Sequence, residues 1–301
     1  TLQLSPDRPL FSLCSYTTGI GFMMSCLLGI YVGCTTSLFC IGEVTLDPKA
    51  FLIGLQNLNV KDLFLKPETF YMLIEKANNL VAVSKKTHGA SVSKKGNSTL
   101  LKPDLFRNVQ NFMLPFSGRP NTQKIASLIR KNSQIILSPT QINYVYQNHF
   151  NPHITLRSYL GIPPVDLYLD PVSLREGLVK VVDPSLADSG EYLRVQDSGI
   201  VPVCTDVSIV NPETNMPCYD GEFGEIWCCS EGNAFNYSVC KDITDKSSKK
   251  PLTKDPFITE QFTSKLKTEV DNGLTYLRTG DLGFIKSMSC PDAYGNLVDV
   301  N

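Results

Sequence analysis

Apolar positions follow two different periods along this chain. In the first half, helical spacing alternates with short unbroken apolar runs. Residues 48–57 place Phe51, Leu52 and Leu55 on one helical face, and "VKDLFL" follows as a strand. Pro67 then opens "ETFYMLIEKANNL", which predicts a helix ending near Leu80. "NFMLPFS" predicts a buried strand over 111–117, and residues 122–130 predict another helix. This alternation, to about Tyr168, predicts α/β architecture around a largely parallel sheet. Residues 22–41, "FMMSCLLGIYVGCTTSLFCI", are almost long enough to span a bilayer. Gly29, Gly33 and the Thr35–Thr36–Ser37 cluster interrupt the run, and no basic residues flank it. The expectation is a buried helix up to Tyr31, a turn at Val32 and Gly33, and a buried strand over 34–40, with no transmembrane segment.

After Asp170 the pattern shifts to closely spaced turn signals such as "VDPS", "DSGE", "NPETN" and "YDGEFG". Between them lie short alternating runs, "VCTDVSIV" and "GEIWCC". These predict hairpins in a twisted sheet or small barrel. The expected organisation is an α/β subdomain over 1–170, a connecting insertion over 171–195 and a β-rich subdomain over 196–301. Residues 84–99 and 241–255, rich in Lys and Ser, are expected to be surface loops.

A formal net charge of −1 gives no basic excess for nucleic acid. The ten cysteines form no C-x-x-C pair and have no histidine at ligand spacing. Those in apolar runs, Cys26, Cys34, Cys40, Cys228 and Cys229, are expected to be buried free thiols of a reducing compartment. His149 and His153 are spaced i, i+4, but Pro152 opposes a continuous helix there, so a surface pair is expected. No Walker A loop, G-x-G-x-x-G or nucleophile elbow occurs.

"YLRTGDLGF" carries the most chemistry, with Arg278 ahead of Asp281 and glycines on both sides of that carboxylate. Glycine lets a ligand approach the backbone closely. A carboxylate can accept two hydrogen bonds from a ribose diol. From the residues alone, a hairpin turn whose Asp caps its own backbone explains the segment more simply.

Taken with its neighbours, this segment resembles the aspartate motif of the adenylate-forming superfamily of acyl-CoA synthetases and acyl-AMP ligases. "GEFGEIWCCSEGNAFNYS" is similar to the strand and small-residue turn that precede it there. "CSYTTGIGFMMSCLLGIYVGCTTSLF" resembles an upstream helix-and-strand segment. "LPFSGRP" stands where fatty acyl-AMP ligases turn against adenine. "INYVYQNHFNP", "RSYLGIPPVDLYLDP" and "SLREGLVKVVDP" resemble the fatty acyl-AMP ligase-like domains of the disco-interacting protein 2 family, fungal members included.

The resemblance implies an acyl-CoA synthetase/luciferase-like fold, its ligand cleft lying at the carboxyl ends of the parallel strands. It implies ATP or AMP as cofactor and a fatty acid or acyl-adenylate as ligand. A thiol of CoA or of a carrier protein would be the acceptor. Asp281 would hold the ribose hydroxyls, with Arg278 beside it. Gly118 and Pro120 would line the adenine, around Arg119. Tyr159 would take an aromatic position near the nucleotide, and residues 171–192 would fill the place of the segment that disfavours CoA. A lipid-metabolic setting, cytoplasmic or peripheral to organelles, comes with the resemblance.

Several positions depart from the family pattern. Arg119 reverses the charge of the turn glutamate, and the His of the early motif is missing at Thr18–Gly21. Ile162, Pro163 and Pro164 surround the position of the magnesium-holding glutamate, and none can bind a hard cation. Magnesium is therefore doubtful, and no metal ligand is assigned. Loss of one charge-stabilising group costs ~10²-fold or more in rate. The phosphate-binding loop and the hinge to the small C-terminal domain are expected outside these residues, and the chain alone is expected to be inert. The expectation divides between part of an acyl-activating enzyme, a non-catalytic module binding an adenylate or CoA-like ligand, and a purely structural interaction domain. A fragment of such a fold should also expose an apolar face. That face would be met by the rest of the parent domain or by self-association.

Overall fold

The computed structural model describes residues 4–88, 101–116, 121–156, 165–183, 185, 192–234, 260–291, 295 and 297–300. Six strands build the main sheet: β1 (Leu10–Ser12), β2 (Thr36–Leu38), β3 (Asp62–Phe64), β4 (Asn111–Phe116), β5 (Ile142–Asn148) and β6 (Asn151–Leu156). Their order is β2-β1-β3-β4-β5-β6. Every pairing from β2 to β5 is parallel, and β6 returns antiparallel to β5.

Strand alternation sends side chains to two cores. Phe11, Leu63, Phe112, Leu114 and Tyr144 face one side, packed on Phe51, Leu52 and Leu55 of the helix over Pro48–Asn57 and on Phe70, Leu73 and Ile74 of the helix over Pro67–His88. Leu10, Phe64, Met113, Val145 and Leu156 face the other, against Ile20 and Met24. Burial on both faces explains why the central strands read as unbroken apolar runs. Each fully buried large apolar side chain contributes about 1.5–3 kcal/mol.

The helices begin with α1 (Gly19–Phe22), which passes through a π-helical turn over Met23–Leu27 into α2 (Leu28–Val32). Gly33, at φ +80°, caps α2 in the left-handed conformation. Next come α3 (Ile41–Leu46), α4 (Pro48–Asn57), α5 (Pro67–His88), α6 (Thr122–Lys131) and α7 (Pro171–Arg175). Beyond the main sheet, β7 (Asp166–Leu169) pairs with β8 (Leu193–Gln196). The strands β9 (Thr205–Val210), β10 (Gly224–Ser230) and β11 (Leu277–Gly283) form an antiparallel sheet, and β12 (Met288–Pro291) pairs with β13 (Leu297–Val300). The mixed sheet with flanking helices and the later antiparallel strands agree with the expected fold class.

Some expectations need correction. The α5 helix continues past Leu80, because Val81 enters the main core and Asn78 and Lys85 bond to Gln134. The strand expected over 34–40 shortens to β2. It lies at the sheet edge, with Leu38 exposed. His149 sits in the turn between β5 and β6. His153 lies on β6 with Nε2 buried and unbonded, and burial lowers its pKa. The two are not a surface pair. The described cysteines are free thiols, but burial holds only for Cys14 and Cys228; Cys26, Cys34 and Cys229 are half-buried and Cys40 is exposed. Residues 84–88, expected to begin a surface loop, belong to α5, and residues 89–99 and 241–255 of the expected loops lie outside the described residues. Among the described residues, no helix is long and apolar enough to cross a membrane.

The β9–β11 sheet docks on the carboxyl end of β5 and on β6. Cys228 belongs to the main core, and Val207 and Ile226 pack against it. Buried Asn151 donates to Ser230 Oγ at 3.1 Å and to Asn233 Oδ1 at 2.7 Å. The Phe150 and Phe262 rings meet edge-on at 4.8 Å.

Candidate functional site

The β11 strand leaves regular pairing where its chemistry lies. Leu277 and Arg278 stand opposite Cys228 and Trp227, and pairing resumes with Leu282 opposite Glu225. Thr279, Gly280 and Asp281 thus share the single partner Ile226, a bulge in β11. Gly280 makes the bend with φ +77°, a conformation that costs an L side chain about 1–2 kcal/mol. Thr279 Oγ1 donates to the Ile226 carbonyl at 2.7 Å and accepts the Asp281 N–H at 3.1 Å.

This bend turns half-buried Asp281 toward the main sheet. The Tyr146 hydroxyl donates to Asp281 Oδ2 at 2.6 Å, and Asn148 Nδ2 donates to the Thr279 carbonyl at 2.9 Å. Tyr146 stands near the carboxyl end of β5, its ring 5.8 Å from that of Phe116, the last residue of β4. Burial, reinforced by the bond to Asp281, raises the Tyr146 pKa and keeps the hydroxyl protonated as the donor. Among the described residues, Asp281 Oδ1 takes no protein partner, so that oxygen can accept from a ligand.

Behind the bulge, the buried Glu225 carboxylate gathers four nitrogen donors from three residues. Trp227 Nε1–H reaches Oε2 at 3.0 Å, and Arg278 meets the same oxygen through Nε at 3.0 Å and its NH2 group at 2.8 Å. The Gly280 N–H reaches Oε1 at 3.1 Å. The Arg278 guanidinium also lies over the Trp227 ring, 5.4 Å from its centre.

Asp281 therefore does not cap its own backbone; it faces a tyrosine across the junction of two sheets. Arg278, expected beside the nucleotide, is engaged with Glu225. Gly118, Arg119 and Pro120 lie outside the described residues, in the segment that follows the end of β4. Tyr159 and residues 162–164 also lie outside them. Among the described residues, no group of three His, Cys, Asp or Glu side chains could hold a metal. Tyr146, Asn148, Glu225 and Trp227 escaped sequence reasoning. Glu225 and Trp227 fall inside the "GEIW" strand pattern, whose apolar alternation hides their polar pairing.

No family model matches the chain. The fold is that of acyl-AMP ligase adenylation domains, of the acyl-CoA synthetase/luciferase-like type. A fatty acyl-adenylate ligase from Legionella pneumophila, solved in complex with acyl adenylate and pyrophosphate, matches with a TM-score of 0.69 at 17% identity, covering 99% of this chain and 44% of that one.

Relatives of this chain include proteins named Disco-interacting protein 2, and the solved structures that share its fold include fatty acyl-AMP ligases. "Homeostatic regulator of DAG" from Saccharomyces cerevisiae is 59% identical over 302 residues, covering 100% of this chain and 18% of that protein. "Disco-interacting protein 2" from Drosophila melanogaster is 27% identical over 289 residues, covering 96% of this chain and 15% of that protein. The chain thus spans less than a fifth of the length of these relatives.

Proposed function

We propose that this chain is part of a fatty acyl-AMP ligase-like domain in which Asp281 accepts the ribose hydroxyls of an adenylate, within a larger protein that serves lipid homeostasis. One observation carries the reading: a half-buried carboxylate, raised on a glycine bulge, has one oxygen fixed by Tyr146 and the other without a partner among the described residues. It stands at the carboxyl end of β5, the edge where open α/β sheets bind ligands. The fit to a sugar diol is chemical as well as positional, because two hydroxyl donors need an acceptor-only group. ATP, where bound, supplies the α-phosphate that a fatty carboxylate attacks to give acyl-AMP and pyrophosphate. In this reading Gly118 and Pro120 line the adenine, Tyr159 lies close by, and a CoA or carrier-protein thiol accepts the acyl group. The yeast relative, a homeostatic regulator of DAG by name, supports the lipid setting.

A second reading keeps the ligand and drops the turnover. Arg119 and the Ile162–Pro163–Pro164 run replace groups that stabilise phosphate and metal charge in the family. They support an adenylate-binding module that is inert by itself. Calorimetry on the full-length parent with a non-hydrolysable acyl-sulfamoyl adenosine tests the shared claim. Asp281→Ala should weaken binding roughly 10- to 100-fold, as loss of hydrogen bonds to a charged group does. Unchanged affinity removes the ribose role. Pyrophosphate release by the parent, over a panel of fatty acids, then separates enzyme from binding module.

We further propose that the rest of the parent's adenylating fold covers the face formed by Phe22, Leu27, Ile30 and Tyr31 beside the β2 edge. Ile30 and Tyr31 are 82% and 90% exposed. No charged residue occurs from Pro9 to Gly42. An uncharged apolar surface of this kind is a contact surface. The Legionella ligase supplies the occupant by arithmetic of length, because this chain matches only 44% of it.

A further inference from the structure

We infer that Glu225 is a positioning residue for nucleotide recognition, holding Asp281 in its ligand-facing orientation through the Gly280 amide; this rests on the ribose role proposed for Asp281.

The bulge in β11 lacks the usual means of support. Its ladder pairing to β10 is interrupted between Arg278 and Leu282. Gly280 is exposed, and a Cβ built there would meet nothing within 4 Å, so packing does not fix this residue. Two polar contacts on β10 hold it instead: Thr279 Oγ1 on the Ile226 carbonyl and the Gly280 N–H on Glu225 Oε1. The second has the stiffer anchor. Glu225 is buried, and Trp227 Nε1 and Arg278 fix its Oε2 from two directions. Its Oε1 therefore has little freedom, and the amide that it holds immediately precedes Asp281. Arg278 also balances the Glu225 charge. A second carboxylate can then stand beside Asp281 without adding net repulsion toward a phosphate-bearing ligand. Without the Glu225 contact, the bend would rely on Thr279 and on the Tyr146 and Asn148 bonds alone. The clasp makes the direction of Asp281 a property of the sheet, which lowers the ordering cost of binding.

Ribose selectivity tests this, because it isolates the Asp281 contact from general loss of structure. The full-length parent is titrated with dodecanoyl-sulfamoyl adenosine and with its 2′,3′-dideoxy counterpart. Wild type should prefer the ribose form ~10-fold or more if Asp281 meets the diol. Glu225→Gln keeps size but removes an acceptor oxygen and the charge that Arg278 needs; it should cut the preference below ~3-fold. Trp227→Phe removes the indole N–H together with part of the buried ring, keeps an aromatic face under Arg278, and should give an intermediate preference. If Glu225→Gln does not fold, Trp227→Phe decides alone. A variant that loses affinity for both ligands equally, with the ribose preference unchanged, assigns Glu225 a merely structural role and overturns the inference. A wild-type preference near one removes the ribose role itself. A normal wild-type preference that survives in both variants sinks only the role of Glu225.

Discussion

One carboxylate oxygen of Asp281 is held by a hydroxyl at 2.6 Å, and that hydroxyl comes from a residue 135 positions earlier in the chain. Glycine on either side of Asp281 marks it in the sequence, whereas nothing local marks Tyr146. Glu225 is hidden for the same reason, since its Gly280 contact spans 55 positions. The chemical residue at such a site is legible because its neighbours must be small. The residues that aim it are not, because they act through tertiary contacts. Burial decides the cysteines in a similar way. It pushes the Cys14 and Cys228 thiols up from 9.0 to about 12, leaving roughly 10³-fold less thiolate than an ordinary thiol carries at pH 8. Iodoacetamide at pH 8 should therefore alkylate exposed Cys40 and Cys204 first and spare Cys14 and Cys228 until the protein unfolds, as read by peptide mass spectrometry. The sign for stability follows. The folded state keeps these protons where the unfolded chain starts to lose them, near pH 9. Their contribution is complete below pH 9 and is lost as pH rises toward about 12. Denaturant titrations of a Cys14→Ala, Cys228→Ala variant should show a flatter alkaline decline than wild type. A steeper or unchanged decline would refute this assignment.

Elements show where periodicity suffices. Helix α4 takes the residues that its apolar spacing marks, with Asp47 capping Ala50 N–H and Pro48 in its first turn. The β4 strand is buried at every position, as its unbroken apolar run requires. Period fails at ends and edges. The Asn78–Asn79 pair looks like a helix stop, yet Asn78 accepts the Gln134 N–H, and that tertiary bond lets α5 run on. The β1 strand is too short at Leu10–Ser12 to display any period. The bulge in β11 is the case where backbone geometry decides. Gly280→Ala meets no steric obstacle, so its cost should be the left-handed penalty alone, about 1–2 kcal/mol. Gly280→Asn should cost less, because Asn tolerates this region better. Urea denaturation of the two variants provides the measurement. An equal or greater loss for Asn would mean that packing, and not φ, sets the requirement.

At the scale of the whole molecule, the exposed side of α1, the π-turn and α2 is chemically out of place. The buried side of this segment carries Ile20, Met24 and Gly29, so the segment is packed on the sheet, while Phe22, Leu27, Ile30 and Tyr31 face outward. A surface selected for water would place charge there. If the remainder of the adenylating fold lies on this face, one pair of substitutions must act with opposite consequences in two contexts. In residues 1–301 alone, Ile30→Asp with Tyr31→Lys replaces side chains already in solvent. Folding stability should change by less than about 1 kcal/mol, while self-association and binding of an apolar dye should fall. In the full-length parent the same pair would place charges inside a domain core. It should destabilise that domain by about 3 kcal/mol or more, because buried charge is costly unless paired. Sedimentation of the short chain and thermal unfolding of the parent measure the two arms. A parent that tolerates the substitutions as well as the short chain does would show that the face stays open in the complete protein, and the proposed covering segment would have to dock elsewhere.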